Sequence, residues 1–420
     1  MLSIDLLRRN PDFLRNALKR RNEDATPLDS LLGLDDRRRK LLVESESLRA
    51  KRNEVSKQIA KINPKPPELI AEMRQVGDRI KTIEDETKTV EQEINGVLAR
   101  LPNIPRDDVP EGLDSSANVV LRTWGEPRSF AFQPIPHWDL AEKLGIIDFQ
   151  RGQKISGSRF YVLRGAGAKL QRALINWMLD KHTNEQGYTE VYPPFMVRQQ
   201  VLFGSGQLPK FIDNLYHDAE EDYWMVPTAE VPITGLYAEE IIPPGVLPMN
   251  YVAYTACFRR EKMSAGKDIR GIKRGHQFDK VEMYKFVEPE KSDEELEKLL
   301  GDAEAIAQGL GIPYRIIKLC TGDLGFAAAR SYDIEMWAPG CNEWLEVSSC
   351  STDTDFQARR SNIRFRREVG AKPEYVHTLN GSGLALPRVL ISVLENYQQA
   401  DGSVIVPEAL RPYCGFEVIK

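Results

Sequence analysis

The stretch FRREKMSAGKDIRGIKRGHQFDKVE, Phe258 to Glu282, decides how the rest of the chain is read. Eight of its side chains are cationic: Arg259, Arg260, Lys262, Lys267, Arg270, Lys273, Arg274 and Lys280. Only Glu261, Asp268, Asp279 and Glu282 oppose them, in a chain whose formal charge is -5. The pattern predicts strand, loop, strand, with a small-residue centre at Ser264-Ala265-Gly266-Lys267. Cations so placed suit a polyphosphate. Phe278 opens the return strand, and an aromatic face beside cations suits a purine ring. The other reading is a core aromatic, and spacing alone favours that one.

Working outward, 420 residues exceed what one core usually serves, so at least two domains are expected. Hydrophobic residues are 41% and charged residues 28%, a globular composition with an excess of charge that points to an exposed helix or coiled coil. No apolar run reaches the roughly 18 residues of a membrane span. The start, MLSIDLLRRNPDF, lacks the apolar core of a signal peptide. Five widely spaced cysteines (Cys257, Cys320, Cys341, Cys350, Cys414) include no CxxC pair, which implies reduced thiols, no zinc site and a cytoplasmic location.

Residues 1–101 have their own texture. Asn10-Pro11 signals a capped first helix. Leu34, Leu41, Leu48, Val55 and Ile62 form one heptad series, and Leu69, Val76, Ile83, Val90 and Val97 a second. Met73, Ile80, Thr87, Ile94 and Leu101 interleave with the latter, and the Pro-rich turn 63–67 separates the two. Two such helices fold back as an antiparallel coiled coil, about 34–101, each arm on the order of 45 Å long. Near its tip six cations (Arg49, Lys51, Arg52, Lys57, Lys61, Lys65) face Glu54 alone. This is a solvated helical surface or a probe for nucleic-acid phosphates.

Residues 102–114, PNIPRDDVPEGLD, read as a linker. In 115–420, Leu170, Ala173, Leu174, Trp177 and Met178 form one helical face closed by Gly187, and Tyr188–Tyr192 reads as a strand. Ser292 and Glu295 suggest a capping box. Runs 249–258, 279–287, 331–337 and 343–349 read as strands, the last two flanking a hairpin turn at Ala338-Pro339-Gly340. Hairpin-joined strands favour an antiparallel sheet, so the fold class is α+β. There is no GxxxxGK[ST], no dinucleotide fingerprint and no HExxH.

Phe258-Arg259-Arg260-Glu261, followed by Gly275-His276-Gln277-Phe278-Asp279-Lys280-Val281-Glu282, resembles motif 2 of the class II aminoacyl-tRNA synthetases in their seryl-tRNA synthetase form. Thr228-Ala229-Glu230-Val231-Pro232, Glu346-Val347-Ser348-Ser349-Cys350-Ser351 and Leu379-Asn380-Gly381-Ser382-Gly383-Leu384-Ala385 with Arg388 extend the likeness, as do the arm and Gly187–Pro194 as motif 1. The resemblance implies an ATP-dependent ligase that makes seryl-adenylate and passes serine to tRNA(Ser), with tRNA(Sec) as a second acceptor. It implies residues 1–101 as a tRNA-binding arm, 115–420 as the catalytic domain, and a homodimer formed through motif 1. Arg259 and Arg388 become the catalytic cations. ATP would meet Arg259, Arg260, Glu261, Gly275, His276, Gln277, Phe278, Glu346, Val347, Ser348, Ser349 and Arg388. L-serine would sit among Thr228, Ala229, Glu230, Arg259, Glu282 and Ser382, and Mg²⁺ on Glu346 and Ser349.

Physical chemistry agrees with the roles. A carboxylate attacking a phosphorus is already ionised near neutrality, so positioning and cations suffice without a general base. Residues three apart on a regular strand face opposite ways, so if Glu346 and Ser349 share an ion the strand must bulge or end near Ser348. Lys262-Met263, Gly275 and Leu386-Pro387 depart from the family pattern without removing a chemical group from the site. Two other readings are a ligase loading an amino acid onto a carrier protein and a non-catalytic RNA-binding protein. The basic arm argues against the first; Arg259, Glu346 and Arg388 argue against the second.

Overall fold

The computed structural model describes residues 1–62, 66–262 and 270–420. The expected arm tip at 63–65 and the loop centre at 263–269 lie outside the described residues. The chain divides into two compact units, Leu2–Pro102 and Asn103–Lys420, the latter also holding Met1.

In the first unit, Asn10 caps the helix Pro11–Arg20 by accepting from the Phe13 N–H. Two long helices follow, α1 (Pro27–Ile59) and α2 (Pro67–Leu98). Leu41 from the first heptad series is buried, as are Val76, Ile83 and Val90 from the second and Ile80 and Ile94 from the interleaved one. Helix α1 starts earlier than the heptads predict because Pro27 is at its first turn and Leu28 and Leu31 are buried too. Ion pairs link the helices: Arg49 to Glu84 at 2.6 Å, Lys51 to Glu72 at 2.7 Å and Arg79 to Glu44 at 2.8 Å. Two of the six tip cations are thereby committed to carboxylates. Arg52, Lys57 and Lys61 are exposed and enter no ion pair among the described residues.

The second unit is built on an eight-stranded sheet. Its strands are β1 (Val119–Trp124), β2 (Thr189–Glu190), β3 (Met249–Phe258), β4 (Gln277–Val287), β5 (Tyr314–Lys318), β6 (Arg330–Ala338), β7 (Glu343–Thr354) and β8 (His377–Ala385). They lie in the order β1-β5-β6-β7-β8-β4-β3-β2. Every pair is antiparallel except β2 with β3, which is parallel. The expected hairpin joins β6 and β7. Three helices, α3 (Ala166–Asn184), α4 (Ser292–Gly309) and α5 (Leu386–Tyr397), cover one face. Their Leu174, Met178, Leu299, Leu300, Leu390 and Leu394 share a core with Val281, Met283, Ile334 and Leu379 of the sheet.

Some local readings change. Ser292 and Glu295 are no capping box: helix α4 starts at Ser292 itself without a side-chain cap. Both are buried and take tertiary partners, Ser292 the hydroxyl of Thr352 at 2.8 Å and Glu295 the ammonium of Lys285 at 2.9 Å. Only Thr189–Glu190 of the stretch Tyr188–Tyr192 pair in the sheet. Helix α3 ends at Asn184, and Gly187, at φ +77°, makes the turn toward β2. Asn103, at the head of the expected linker, is buried and donates to the carbonyls of Ala327 and Asp353 at 2.8 and 2.7 Å.

Candidate active site

Strand β4 divides its side chains by the period-two rule. Val281, Met283 and Val287 enter the core beneath the helices. On the other face Tyr284 and Phe286 join a second core with Ala253, Ile233 and Phe365, while Phe278, Lys280 and Glu282 line an open cavity of about 290 Å³. Neighbouring strands complete its wall. Ser382 of β8 is paired with Glu282 in register, and Phe258 at the end of β3 with Gln277. Arg259 follows directly and enters the cavity, as do Glu261, Gly275, Thr228, Glu230, Glu346, Val347, Ser349, Ser382 and Arg388.

Strand β7 carries the irregularity that the shared placement of Glu346 and Ser349 requires. Ile334 pairs with Ser348 but Glu335 pairs with Glu346, leaving Val347 unmatched. The bulge turns Glu346 onto the face that already holds Ser349 and Ser351, and all three line the cavity. Behind them Asp333 is half-buried, with one carboxylate oxygen buried and unpartnered. Burial and the nearby Glu346 charge hold its carboxyl well above the usual range, against a hydrogen bond from Ser349. A carboxylate, a hydroxyl and an underused carboxyl oxygen nearby are hard donors, the set that suits Mg²⁺.

The cations are held by specific partners. Arg259 donates to the Pro227 carbonyl at 3.3 Å, and its guanidinium lies over the Phe278 ring, 5.1 Å from the centroid. Arg388 is on the first turn of α5 and donates to the Glu346 carbonyl at 2.7 Å, with the Glu346 carboxylate 3.4 Å away. Arg274 reaches Glu261 at 3.7 Å. Glu261 has φ +50°, a conformation that costs a non-glycine residue about 1–3 kcal/mol and turns the chain out of β3.

At the closed end, Lys280 and Glu282 are both buried and paired at 2.5 Å. Ser382 donates to the same Glu282 oxygen at 3.4 Å. Glu230 accepts from the Gln357 amide at 2.6 Å. Burial foremost, then repulsion from Glu282, pushes the Glu230 carboxyl up to about 7, despite Lys280, Gln357 and Asn380. The result is a small polar pocket of alternating charge, suited to a ligand carrying its own ammonium and hydroxyl.

Several expected contacts fall outside the cavity wall. Ser348 is buried and its hydroxyl donates to the Ser382 carbonyl at 2.6 Å, because the bulge at Val347 sends it inward. Ala229 is packed in the second core. Arg260 lies over Tyr216, 5.8 Å from the ring, having turned away from Arg259 as a neighbour must. His276 donates from Nδ1 to the Arg259 carbonyl at 3.0 Å, bracing the hairpin. Gln277 is exposed along an adjoining groove. Conversely, Lys280, Gln207, Ser351 and Asn380 line the cavity unanticipated. Alternation from Phe278 to Glu282 marked Lys280, and the same period of two from Ser349 and Ser382 reaches Ser351 and Asn380; nothing local marked Gln207. A second cavity of about 560 Å³ shares Gln207, Glu230, Arg259 and Asn380 with the first and continues to Phe211, Phe326 and Asp353.

This antiparallel sheet, with arginines entering one cavity from a strand end and from a helix start, is that of a class II synthetase core. The description "tRNA synthetase class II core domain (G, H, P, S and T)" matches residues 211–397, and "Seryl-tRNA synthetase N-terminal domain" matches residues 1–105. The serine–tRNA ligase of a Roseiflexus species is 60% identical over 423 residues, covering 100% of both chains. That of Thermomicrobium roseum is 58% identical over 417 residues, 99% of this chain and 94% of the relative. The crystal structure of seryl-tRNA synthetase from Pyrococcus horikoshii complexed with ATP superposes with a TM-score of 0.94 at 42% identity, covering 100% of this chain and 99% of that one. The chain belongs to the seryl-tRNA synthetase family. It is an ATP-dependent ligase joining serine to tRNA.

Two outcomes follow from this geometry. Arg259→Ala should lower serine activation at least about 10²-fold in ATP–pyrophosphate exchange, as for loss of a charge-stabilising donor, with little change in melting temperature because its side chain lines an open cavity. Near-normal exchange would remove Arg259 from the mechanism. For Glu230, a carboxyl raised by folding favours the protonated form. Its contribution to stability is therefore full below its ordinary value of 4.5 and lost as pH rises through about 7. Glu230→Gln should gain stability relative to the parent across that window, measured by thermal unfolding at a series of pH values. A constant difference would contradict the raised value.

Proposed function

We propose that the cavity faced by Phe278, Lys280 and Glu282 performs both the activation of serine and its transfer. The single observation that carries this is that one face of β4 sets a nucleotide-type wall and an amino-acid-type pocket side by side. Phe278 and Arg388 take the adenine and outer phosphates, Glu261 the base edge, and Arg259 the α-phosphate together with the serine carboxylate. Thr228, Glu230, Glu282 and Ser382 hold the ammonium and hydroxyl. A site built to bond a hydroxyl rejects alanine, whose binding would leave these groups unpaired.

Chemistry then needs no residue to change protonation at the first step. The serine carboxylate attacks the α-phosphorus, pyrophosphate leaves, and Arg259 and Arg388 stabilise the spreading negative charge. Glu346 and Ser349 would hold Mg²⁺, which supplies further charge neutralisation at the phosphates. The terminal ribose hydroxyl of tRNA then attacks the seryl carbonyl, the acyl–phosphate bond breaks, and AMP leaves as the hydroxyl proton is lost. Contiguity of the second cavity with Arg259 and Glu230 supports entry of the terminal adenosine from the side of Phe326.

Residues 1–101 are the tRNA-binding arm, supported by exposed Arg52, Lys57 and Lys61; 102–114 link it to the catalytic domain, 115–420. The acceptor is tRNA(Ser), with tRNA(Sec) as a second substrate. A homodimer through motif 1 is supported by exposed Tyr192 and Met196, with exposed Val119, Val120, Leu121 and Trp124 on edge strand β1. Five unpaired cysteines favour a reducing, cytoplasmic setting. No helix among the described residues is long and apolar enough to cross a membrane.

Replacing residues 35–98 by a short linker should spare serine-dependent pyrophosphate exchange and abolish tRNA charging; equal loss of both would contradict the division of labour. Glu282→Gln should raise the serine KM far more than the ATP KM, since charged hydrogen bonds contribute roughly 1.5–3 kcal/mol. It should also lower the melting temperature, because Lys280 loses its buried partner. Unchanged serine kinetics in that variant would place Glu282 outside the pocket.

A further inference from the structure

Away from the cavity, a buried carboxylate collects four hydrogen bonds. Glu395 is on the last turn of α5, fully buried and seven residues from Arg388. Its Oε1 accepts from the His137 backbone N–H at 2.8 Å, from His137 Nδ1 at 2.9 Å and from the Cys341 thiol at 3.0 Å. Its Oε2 accepts from the Cys341 N–H at 2.9 Å. The opposite ring nitrogen, His137 Nε2, faces the backbone N–H of Ile272 at 3.2 Å.

That last contact settles the tautomer. A backbone N–H can only donate, so Nε2 must accept and Nδ1 must carry the proton, which it gives to Glu395. Burial alone would raise the Glu395 carboxyl, but the bonds from His137 and Cys341 outweigh it and hold it below its ordinary value. A neutral imidazole thus stands between an anion on α5 and a backbone amide of the motif 2 return arm.

The return arm is where the consequence lies. Ile272 is buried, and the next three residues, Lys273, Arg274 and Gly275, line the cavity. Gly271 packs so tightly on His137 that a Cβ there would come within 2.2 Å of Nε2, and its φ of +80° also disfavours any side chain. Arg270 reaches Asp139 at 3.1 Å, and Lys273 reaches Glu343 at 2.7 Å. The neighbours of Ile272 are therefore tethered as well, and His137 connects the stretch by hydrogen bonds to the helix that carries Arg388.

The geometry points to His137 as a positioning residue for ATP: through Glu395 and the Ile272 amide it fixes the cation-bearing return arm of motif 2 relative to Arg388. This rests on the placement of ATP against Arg259 and Arg388 proposed above. His137, Cys341 and Glu395 also present donor atoms within 4.8 Å of one another, a set that could take zinc. The Ile272 contact argues against that. Metal on Nδ1 would move the ring proton to Nε2, where it would meet another N–H, whereas ligating histidines direct that proton to an acceptor.

Pyrophosphate exchange titrated separately in ATP and in serine tests the assignment. Gly271→Ala, which disturbs the contact from the arm side, should raise the ATP KM about tenfold, as expected for one lost buried hydrogen bond. The serine KM should stay close to the parent, while the melting temperature falls somewhat with the strain of a side chain at φ +80°. His137→Phe should show the same ATP-selective rise, and His137→Gln, whose amide oxygen can accept from Ile272, should recover most of it. Equal rises in both KM values that follow a fall in melting temperature would reduce His137 to a structural role and overturn the proposal. So would parental kinetics in Gly271→Ala and His137→Phe, or stoichiometric zinc in the purified protein that is lost on Cys341→Ser. Failure of the ATP placement itself would register differently, as near-normal exchange in Arg259→Ala.

Discussion

The structure depends on the pleat of β4. Odd-numbered Val281, Met283 and Val287 are fully buried under the helices, and Lys285 between them pairs with Glu295. The even-numbered residues of β4 are chemistry near the start, at Phe278, Lys280 and Glu282, and a second core near the end, at Tyr284 and Phe286. A slip of one residue against β3 or β8 would exchange these sets, moving Lys280 and Glu282 from the cavity wall in among leucines and turning three apolar side chains toward the cavity. The penalty for unpaired buried charge makes that register untenable. Catalytic geometry and fold stability are thus specified by the same hydrogen-bond ladder, including the pairing of Glu282 with Ser382.

Charge in the closed end of the cavity is arranged around one buried lysine. Glu230 and Glu282 are both buried, and the Glu282 charge raises the cost of ionising Glu230. Lys280 offsets this by pairing directly with Glu282, which leaves Glu230 as the carboxyl pushed toward neutrality. A ligand ammonium would relieve the same repulsion, so the pocket is strained toward binding a cation.

Much of this was legible in the sequence, for reasons that differ by element. Heptads locate the arm because a coiled-coil seam repeats locally; Leu41, Val76, Ile83 and Val90 are buried. Strands β3, β6 and β7 announce themselves by apolar runs ended at turns. The bulge at Val347 is one of the two outcomes, a bulge or a strand end near Ser348, that the resemblance implied by putting Glu346 and Ser349 on one ion. What escaped was tertiary. Ser292 and Glu295 have the spacing of a capping box, but burial gives them Thr352 and Lys285 instead. Gln207 reaches the cavity from a loop, and no local periodicity marks such a side chain. Arg260 and Ser348 were expected in the site because they neighbour residues that are there; the pleat and the bulge turn them out.

Because adenylate formation begins from a carboxylate already ionised, the reaction demands placement more than proton transfer, and the structure is organised accordingly. Few of the site's polar groups stand alone. Arg388 is anchored on the Glu346 backbone, Glu261 faces Arg274, Arg259 rests on Phe278 and the Pro227 carbonyl, and His276 ties the two ends of the motif 2 hairpin together. These are bonds to backbone, ring faces and opposite charges, each fixing a direction. Arginine serves this better than lysine, since its planar fork keeps an orientation while bonded at one edge and leaves the other donors for phosphate. The buried Lys280 makes the contrast: a compact ammonium balancing charge in a confined pocket, where direction matters less than the presence of one positive charge.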